Sequence, residues 1–201
     1  MNGYEVILSD IAKVQVGYQT RGKIEESLDG DFTIVRSQDF SDEGKLILDR
    51  VMRFFPNSSI DPQNYMITNG DILVQARGQN HKAYLIEESL ENTVAANSFY
   101  IIRIKESAAV LPAYLTWFIN QPKVQAYFEQ EQGLSTIPFI SKSGLSKTRV
   151  LLPLVEIQKK VSELISLWRQ EQELMEQIAE KKESLIQAVA RKALDHSLEA
   201  R

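Results

Sequence analysis

The sequence predicts an α+β protein: a mostly-β globular front segment with short helices, followed by one long C-terminal coiled-coil helix. Three observations predict it. β-Branched and aromatic runs separated by glycine turns fill the centre of the chain, and proline-started apolar helices follow from Leu111. The last quarter then carries apolar residues at heptad spacing.

At the N-terminus, Ile7-Leu8-Ser9-Asp10-Ile11-Ala12-Lys13 predicts a short helix capped by Ser9 or Asp10 and ended before Gly17. Strand signals come next. Phe32-Thr33-Ile34-Val35 is β-branched and aromatic, Asp42-Glu43-Gly44 is a turn, and Lys45-Leu46-Ile47-Leu48 resumes an extended pattern. Asn69-Gly70 is a strong turn dipeptide ahead of the strand Ile72-Leu73-Val74. After a polar loop, Ala83-Tyr84-Leu85-Ile86 is a further strand, and the stretch from Thr93 to Ile104 is strand-rich. Pro112 opens a helix through Ile119, Asn120-Gln121 breaks it, and Pro122 opens a second through Phe128. Residues Gly133 to Pro138 read as a loop, followed by a short helix after Gly144 and by Val150-Leu151-Leu152 leading to Pro153.

From Leu154 to about Asp195 the pattern is one unbroken amphipathic helix. Alternate steps of four and three residues visit Ile157, Val161, Leu164, Trp168, Glu171, Met175, Ile178, Lys182, Leu185 and Val189, of which only Glu171 and Lys182 are polar. A 3.5-residue repeat held over this distance marks helices that supercoil around a partner, because a straight surface helix drifts off its own stripe. About 40 residues at roughly 1.5 Å each make a rod on the order of 60 Å.

Composition bounds the function. A chain of 201 residues, 43% hydrophobic, closes one core of ordinary size plus an extension. There are no cysteines, so disulfides and thiolate metal sites are excluded, and two histidines far apart in sequence make zinc improbable. No apolar run reaches the length of a bilayer span and Met1-Asn2-Gly3-Tyr4-Glu5 lacks signal-peptide character, so the expected location is the cytoplasm, with no membrane partner. A net charge of −4 does not advertise a nucleic-acid binder, but charge is unevenly spread. Ile11 to Ile24, Ile72 to Ile86 and Gln132 to Val155 contain basic residues and no acid. Chance produces such windows too, since Ser107 to Phe128 is another; the functional reading requires the three to share a face.

A set of ordered phrases then carries a resemblance. They run Leu8-Ser9-Asp10-Ile11-Ala12 with Gly17; Phe32-Thr33-Ile34-Val35-Arg36 with Asp39 and Gly44; and Asn69-Gly70-Asp71-Ile72-Leu73-Val74 with Arg77-Gly78. Further on come Val94 to Phe99, Ala113-Tyr114-Leu115 with Asn120, Gly133 to Pro138 with Ile140-Ser141-Lys142, and Leu152-Pro153-Leu154 with Glu156 and Gln158. In this order the chain resembles the DNA-specificity subunits of type I restriction-modification systems. The usual subunit of that family resembles two such units in tandem, with two helices packed antiparallel; this chain holds one of each.

The resemblance implies a half-length form: residues 1–152 a DNA target-recognition domain, residues 153–201 a long helix for dimerisation and partner docking. A homodimer built this way reads double-stranded DNA as two inverted half-sites. It also implies that chemistry comes from partners: a DNA methyltransferase subunit using S-adenosylmethionine, with or without an ATP- and Mg-dependent restriction/translocase subunit. No cofactor is expected in this chain. The dimer seam is expected at Ile157, Val161, Leu164, Trp168, Met175, Ile178, Leu185 and Val189.

Base reading needs Arg or Lys for guanine and Asn or Gln for adenine, with hydroxyls for phosphates. Gln19, Thr20, Arg21 and Lys23 offer that chemistry, as do Arg77, Gln79, Asn80, His81 and Lys82, with Arg36 and Gln38 in addition. Ser135, Thr136 and Lys142 suit phosphate or backbone contacts. Alternatives stand beside these: an ion pair with Asp39 for Arg36, an ordinary solvated hairpin for residues 79–82, and either stacking or packing for Tyr18. Trp117, Phe118, Tyr127 and Phe128 recur at helical spacing and read as core, and Gly70 and Gly78 as turn glycines.

Catalytic signatures are lacking. Asn97-Ser98-Phe99-Tyr100 has no prolines of an adenine-methylase motif, no Gly-rich cofactor loop or P-loop occurs, and the carboxylate pairs Glu25-Glu26 and Glu87-Glu88 are sequence neighbours that point apart. The expected role is therefore a non-catalytic targeting subunit. The alternative is a coiled-coil assembly module without DNA specificity.

Overall fold

The computed structural model describes residues 3–20, 22, 24–41, 43–56, 60–78, 80–132 and 138–199, with side chains as far as 192. Strand β1 (Tyr4–Ile7) passes into a single helical turn, α1 (Leu8–Ile11), and then into β2 (Ala12–Val16). The cap expected at Ser9 or Asp10 does not form, because both lie inside the turn and Ile7 precedes it without a side-chain cap. A distant partner does the capping: the Leu8 N–H donates to Thr148 O at 2.9 Å.

Next come β3 (Phe32–Val35), β4 (Met52–Phe54), β5 (Ile72–Gln75), β6 (Ala83–Leu85), β7 (Thr93–Ala95) and β8 (Phe99–Ile104). The strand-rich stretch from Thr93 is thus two strands in different sheets, separated by a turn in which Phe99 N–H donates to Ala96 O. Asn69-Gly70 turns as expected, with Gly70 at φ +87°. The extended segment expected at Lys45–Leu48 is reduced to one bridge between Leu46 and Phe40, followed by a 3-10 turn at Leu48–Arg50. Here the chain wraps a buried aspartate, Asp39, whose carbonyl accepts from Ile47 N–H.

Helices α2 (Pro112–Ile119) and α3 (Pro122–Gln130) begin at their prolines, and α4 (Lys142–Ser146) is capped by Ser141, whose hydroxyl accepts from Gly144 N–H at 3.0 Å. Strand β9 (Arg149–Leu152) then leads to α5 (Val155–Glu199).

The strands make three sheets. The central one, in order β2-β8-β5-β6, is antiparallel throughout. A second, β4-β3-β7, contains a parallel pair, and β1 pairs with β9 across most of the sequence. Both faces of the central sheet are covered, which is why β5 reads as a continuous apolar run rather than an alternation. Ile72 and Val74 meet Leu115, Ile119 and Phe128 on the helical side. Leu73 points the other way, to Tyr84, Phe99 and Phe40. Tyr18 resolves to packing: it is 1% exposed, against Phe54 and Tyr65 under the second sheet. Phe128 is fully buried and Trp117, Phe118 and Tyr127 pack half-buried on the same core.

By compactness the chain divides into Met1–Ser162 and Glu163–Arg201. The first turns of α5 belong to the front unit, tied there by Gln158, a fully buried amide. Its Oε1 accepts from Leu111 N–H, and its Nε2 donates to Ala109 O and Pro153 O, at 2.9 to 3.0 Å. The second unit is helix alone. Leu164, Trp168, Met175, Ile178, Leu185 and Val189 are each between 52% and 69% exposed. Among the described residues, no helix is long and apolar enough to cross a membrane.

Candidate nucleic-acid interface

One end of the central sheet gathers several loops. Its register sets Val16 of β2 and Val74 of β5 both opposite Tyr100, and Gln75 opposite Phe99. The chain leaving β2, the turn before β8 and the loop from β5 to β6 therefore emerge side by side. Gly17 makes this possible. A Cβ there would sit 2.2 Å from Ala96 O, and the backbone closes up as Gly17 N–H donates to Phe99 O and Tyr18 N–H to Ala95 O. Val35, at the end of β3, accepts from Ala96 N–H, bringing Arg36 to Asp39 towards the same turn.

A fourth segment is stitched on. Residues 76–78 pair with 138–140: Gly78 N–H donates to Pro138 O, Ile140 N–H to Ala76 O, and Arg77 bridges Phe139. The left-handed φ of +113° at Gly78 shapes the bend. Tyr100 hydroxyl donates to Ile140 O at 3.1 Å. Burial holds this phenol above its ordinary pKa against the opposing effects of the Lys142 backbone and of the Arg77 charge.

Gln19, Gln38, Arg77, Asn80, Lys82 and Lys142 are exposed on these loops, and Thr20 is half-buried with its hydroxyl donating to Gly22 O. The expected contacts at Arg21, Lys23, Gln79, Ser135 and Thr136 fall outside the described residues. Lys82 has acidic company: Glu43 is held below the usual carboxylate range by the Ser41 side chain first and its own backbone amide second, with the Lys82 charge adding to both.

Two expected readers serve the scaffold instead. His81 is 1% exposed, with Nδ1 2.8 Å from Gln75 O and Nε2 3.1 Å from the Gln132 amide, and its ring meets Phe128 edge-on. The carbonyl can only accept, so Nδ1 carries a hydrogen. Gln125 completes the clamp, accepting from His81 N–H and donating to His81 O. His81 therefore presents no edge to a partner; it fixes the β5–β6 loop to α3 and to the chain at Gln132. Arg36 likewise takes its structural alternative. Its backbone N–H and guanidinium hold the buried Asp39 carboxylate at 2.8 to 3.3 Å, and it also donates to Arg50 O.

The acid-free stretches join only in part. Lys13 lies at the far end of β2, beside Arg103, and Arg149 is on β9 opposite Ile7, with its guanidinium 3.9 Å from the Glu5 carboxylate. In return the fold adds Asn97, Ser98 and Phe139 to the loop cluster. Asn97 and Ser98 sat inside a recognisable phrase between two strands, which was the available signal. Among the described residues no group of three or more His, Asp or Glu is placed to hold a metal ion.

The fold and this face define a sheet-based domain whose polar loops, three of their exposed residues cationic, converge at one end of the central sheet, joined to a helix with an exposed apolar seam. The chain belongs to the family described as type I restriction modification DNA specificity domain, whose model matches residues 2–183. Solved structures share the fold at low identity. One, from work on complex assembly and conformational transition of the type I R-M system, has a TM-score of 0.62 at 13% identity, covering 85% of this chain and 39% of that one. The HsdS subunit from Thermoanaerobacter tengcongensis gives 0.57 at 14%, covering 85% and 38%. The type I restriction-modification S subunit from M. genitalium gives 0.56 at 11%, covering 85% and 40%. The chain thus spans about two fifths of the length of these proteins. No curated protein matches it.

Proposed function

We propose that this chain is one reading unit of a specificity subunit, a DNA-reading, non-catalytic component that addresses a type I restriction-modification complex to its site. The convergence of the loops after β2, before β8 and between β5 and β6 at one sheet end carries the reading. Gln19, Gln38, Asn80 and Arg77 offer base-edge chemistry, and Thr20, Lys82 and Lys142 the grip on phosphates; Arg21, Lys23, Gln79, Ser135 and Thr136, outside the described residues, are proposed as further contacts on their side-chain chemistry alone. His81 and Arg36 act behind them, holding two of the loops in shape. The helix from Ile157 to Val189 pairs with a second copy, so the target is a bipartite inverted repeat. Methyl transfer from S-adenosylmethionine, and cleavage driven by ATP and Mg where a restriction subunit is present, belong to partner subunits in the cytoplasm.

Selection from random duplex pools, with the purified methylation partner present, tests this. The expected product is one interrupted inverted repeat, with affinity that falls steeply with salt. Recovery of no motif, together with binding indifferent to salt, would favour an assembly module without DNA specificity.

A further inference from the structure

The apolar seam of α5 contains two charged residues, and their placement specifies how a second copy lies on it. Glu171 and Lys182 both occupy core positions of the repeat, among Trp168, Met175, Ile178 and Leu185, which are all more than half exposed in the single chain. A charge inside a coiled-coil seam is tolerated where it meets its opposite, and it then fixes register more than it adds stability.

We infer that two copies pair antiparallel in the one register that sets Glu171 opposite the partner's Lys182, and Lys182 opposite the partner's Glu171, about a dyad between residues 176 and 177. This rests on the dimer in the proposed function and gives it orientation and alignment.

Val161 packs on the chain's own front core, and the rest of the seam from 164 to 189 agrees with that register. Met175 then faces the partner's Ile178, Trp168 the partner's Leu185, and Leu164 the partner's Val189, so each remaining core layer from 164 to 189 is apolar on both sides. The flank agrees too, with Ile165 beside the partner's Ile186, itself 68% exposed. The competing arrangements fail on charge. A parallel pair sets Glu171 against Glu171 and Lys182 against Lys182. Sliding the antiparallel pair one heptad sets Glu171 against Met175 or Val189, and Lys182 against Leu164 or Ile178, leaving four charges per dimer facing apolar groups.

The absence of cysteine makes the test direct, since each cross-link then reports an introduced pair. Full-length chains carrying Leu164→Cys and Val189→Cys are mixed and mildly oxidised, alongside each chain alone, with sedimentation of the unlinked proteins. The expected result is a covalent dimer from the mixture and none from Leu164→Cys alone, because in this register those two sites lie roughly 37 Å apart along the axis. Glu171→Lys is expected to raise the dimer dissociation constant by about tenfold or more, and Glu171→Lys with Lys182→Glu to restore it. A cross-link from Leu164→Cys alone, a sedimenting dimer with no link in the mixture, or a double swap as weak as the single one overturns the register but leaves a dimer. Monomers at all concentrations overturn the dimer itself, and with it that part of the proposed function.

Discussion

Replacing Gln158 by alanine removes the side chain that ties the start of α5 to the loop ahead of α2. The cost can be worked from its partners. Leu111 N–H precedes a helix, has no intrahelical acceptor, and sits half-buried, so losing Oε1 leaves it uncompensated at about 1–3 kcal/mol. Ala109 is exposed and Pro153 half-buried, so their carbonyls regain water at about 0.5 kcal/mol each. Lost methylene packing at a fully buried position adds roughly 1 kcal/mol, for a total near 4 kcal/mol. With a urea m-value of about 2 kcal/mol per M, the unfolding midpoint should drop by about 2 M. Gln158→Leu keeps the volume and should lose about two thirds as much. Equilibrium urea unfolding followed by tryptophan fluorescence and circular dichroism reads both. A shift under about 0.3 M in both variants would falsify the claim that this amide anchors the helix.

Gly17→Ala should cost about 4 kcal/mol or prevent folding, because its Cβ would run into the backbone of Ala95 and Ala96, with Ala96 O at 2.2 Å and Ala95 O at 2.6 Å; thermal melts or soluble yield report it. Arg77→Ala and Lys142→Ala should leave stability within about 0.5 kcal/mol yet weaken DNA binding, each lowering the salt slope by about one; an unchanged slope counts against their placement. Alkaline pH should destabilise the front unit, since burial raises Tyr100, Tyr114 and Tyr127 above the ordinary phenol value. A raised folded-state pKa means their contribution is whole below the unfolded value, near 10, and is lost as pH rises through the folded one. Absorbance at about 295 nm should show them ionising after the exposed tyrosines, with unfolding; early ionisation in the folded chain contradicts this.

The sequence by itself determined the class and the order of the parts. Proline at a helix start, Asn-Gly at a turn and apolar runs at strands are local rules, and α2, α3, β5 and β6 follow from them. So does the heptad seam, since periodicity along one helix needs no information from elsewhere. What it could not settle were the features made by distant partners. Strand β1 exists because β9 pairs with it, and the α1 turn starts where Thr148 accepts its first amide, not at Ser9 or Asp10. The same reason divides the site. A histidine and an arginine within polar loops carry the composition of DNA readers, but whether a side chain turns outward depends on what lies behind it. Gln75, Gln132 and Phe128 draw His81 inward, and the buried Asp39 holds Arg36. Residue types are written in the chain; their direction is decided only when the sheet end closes and each buried polar group takes its partner.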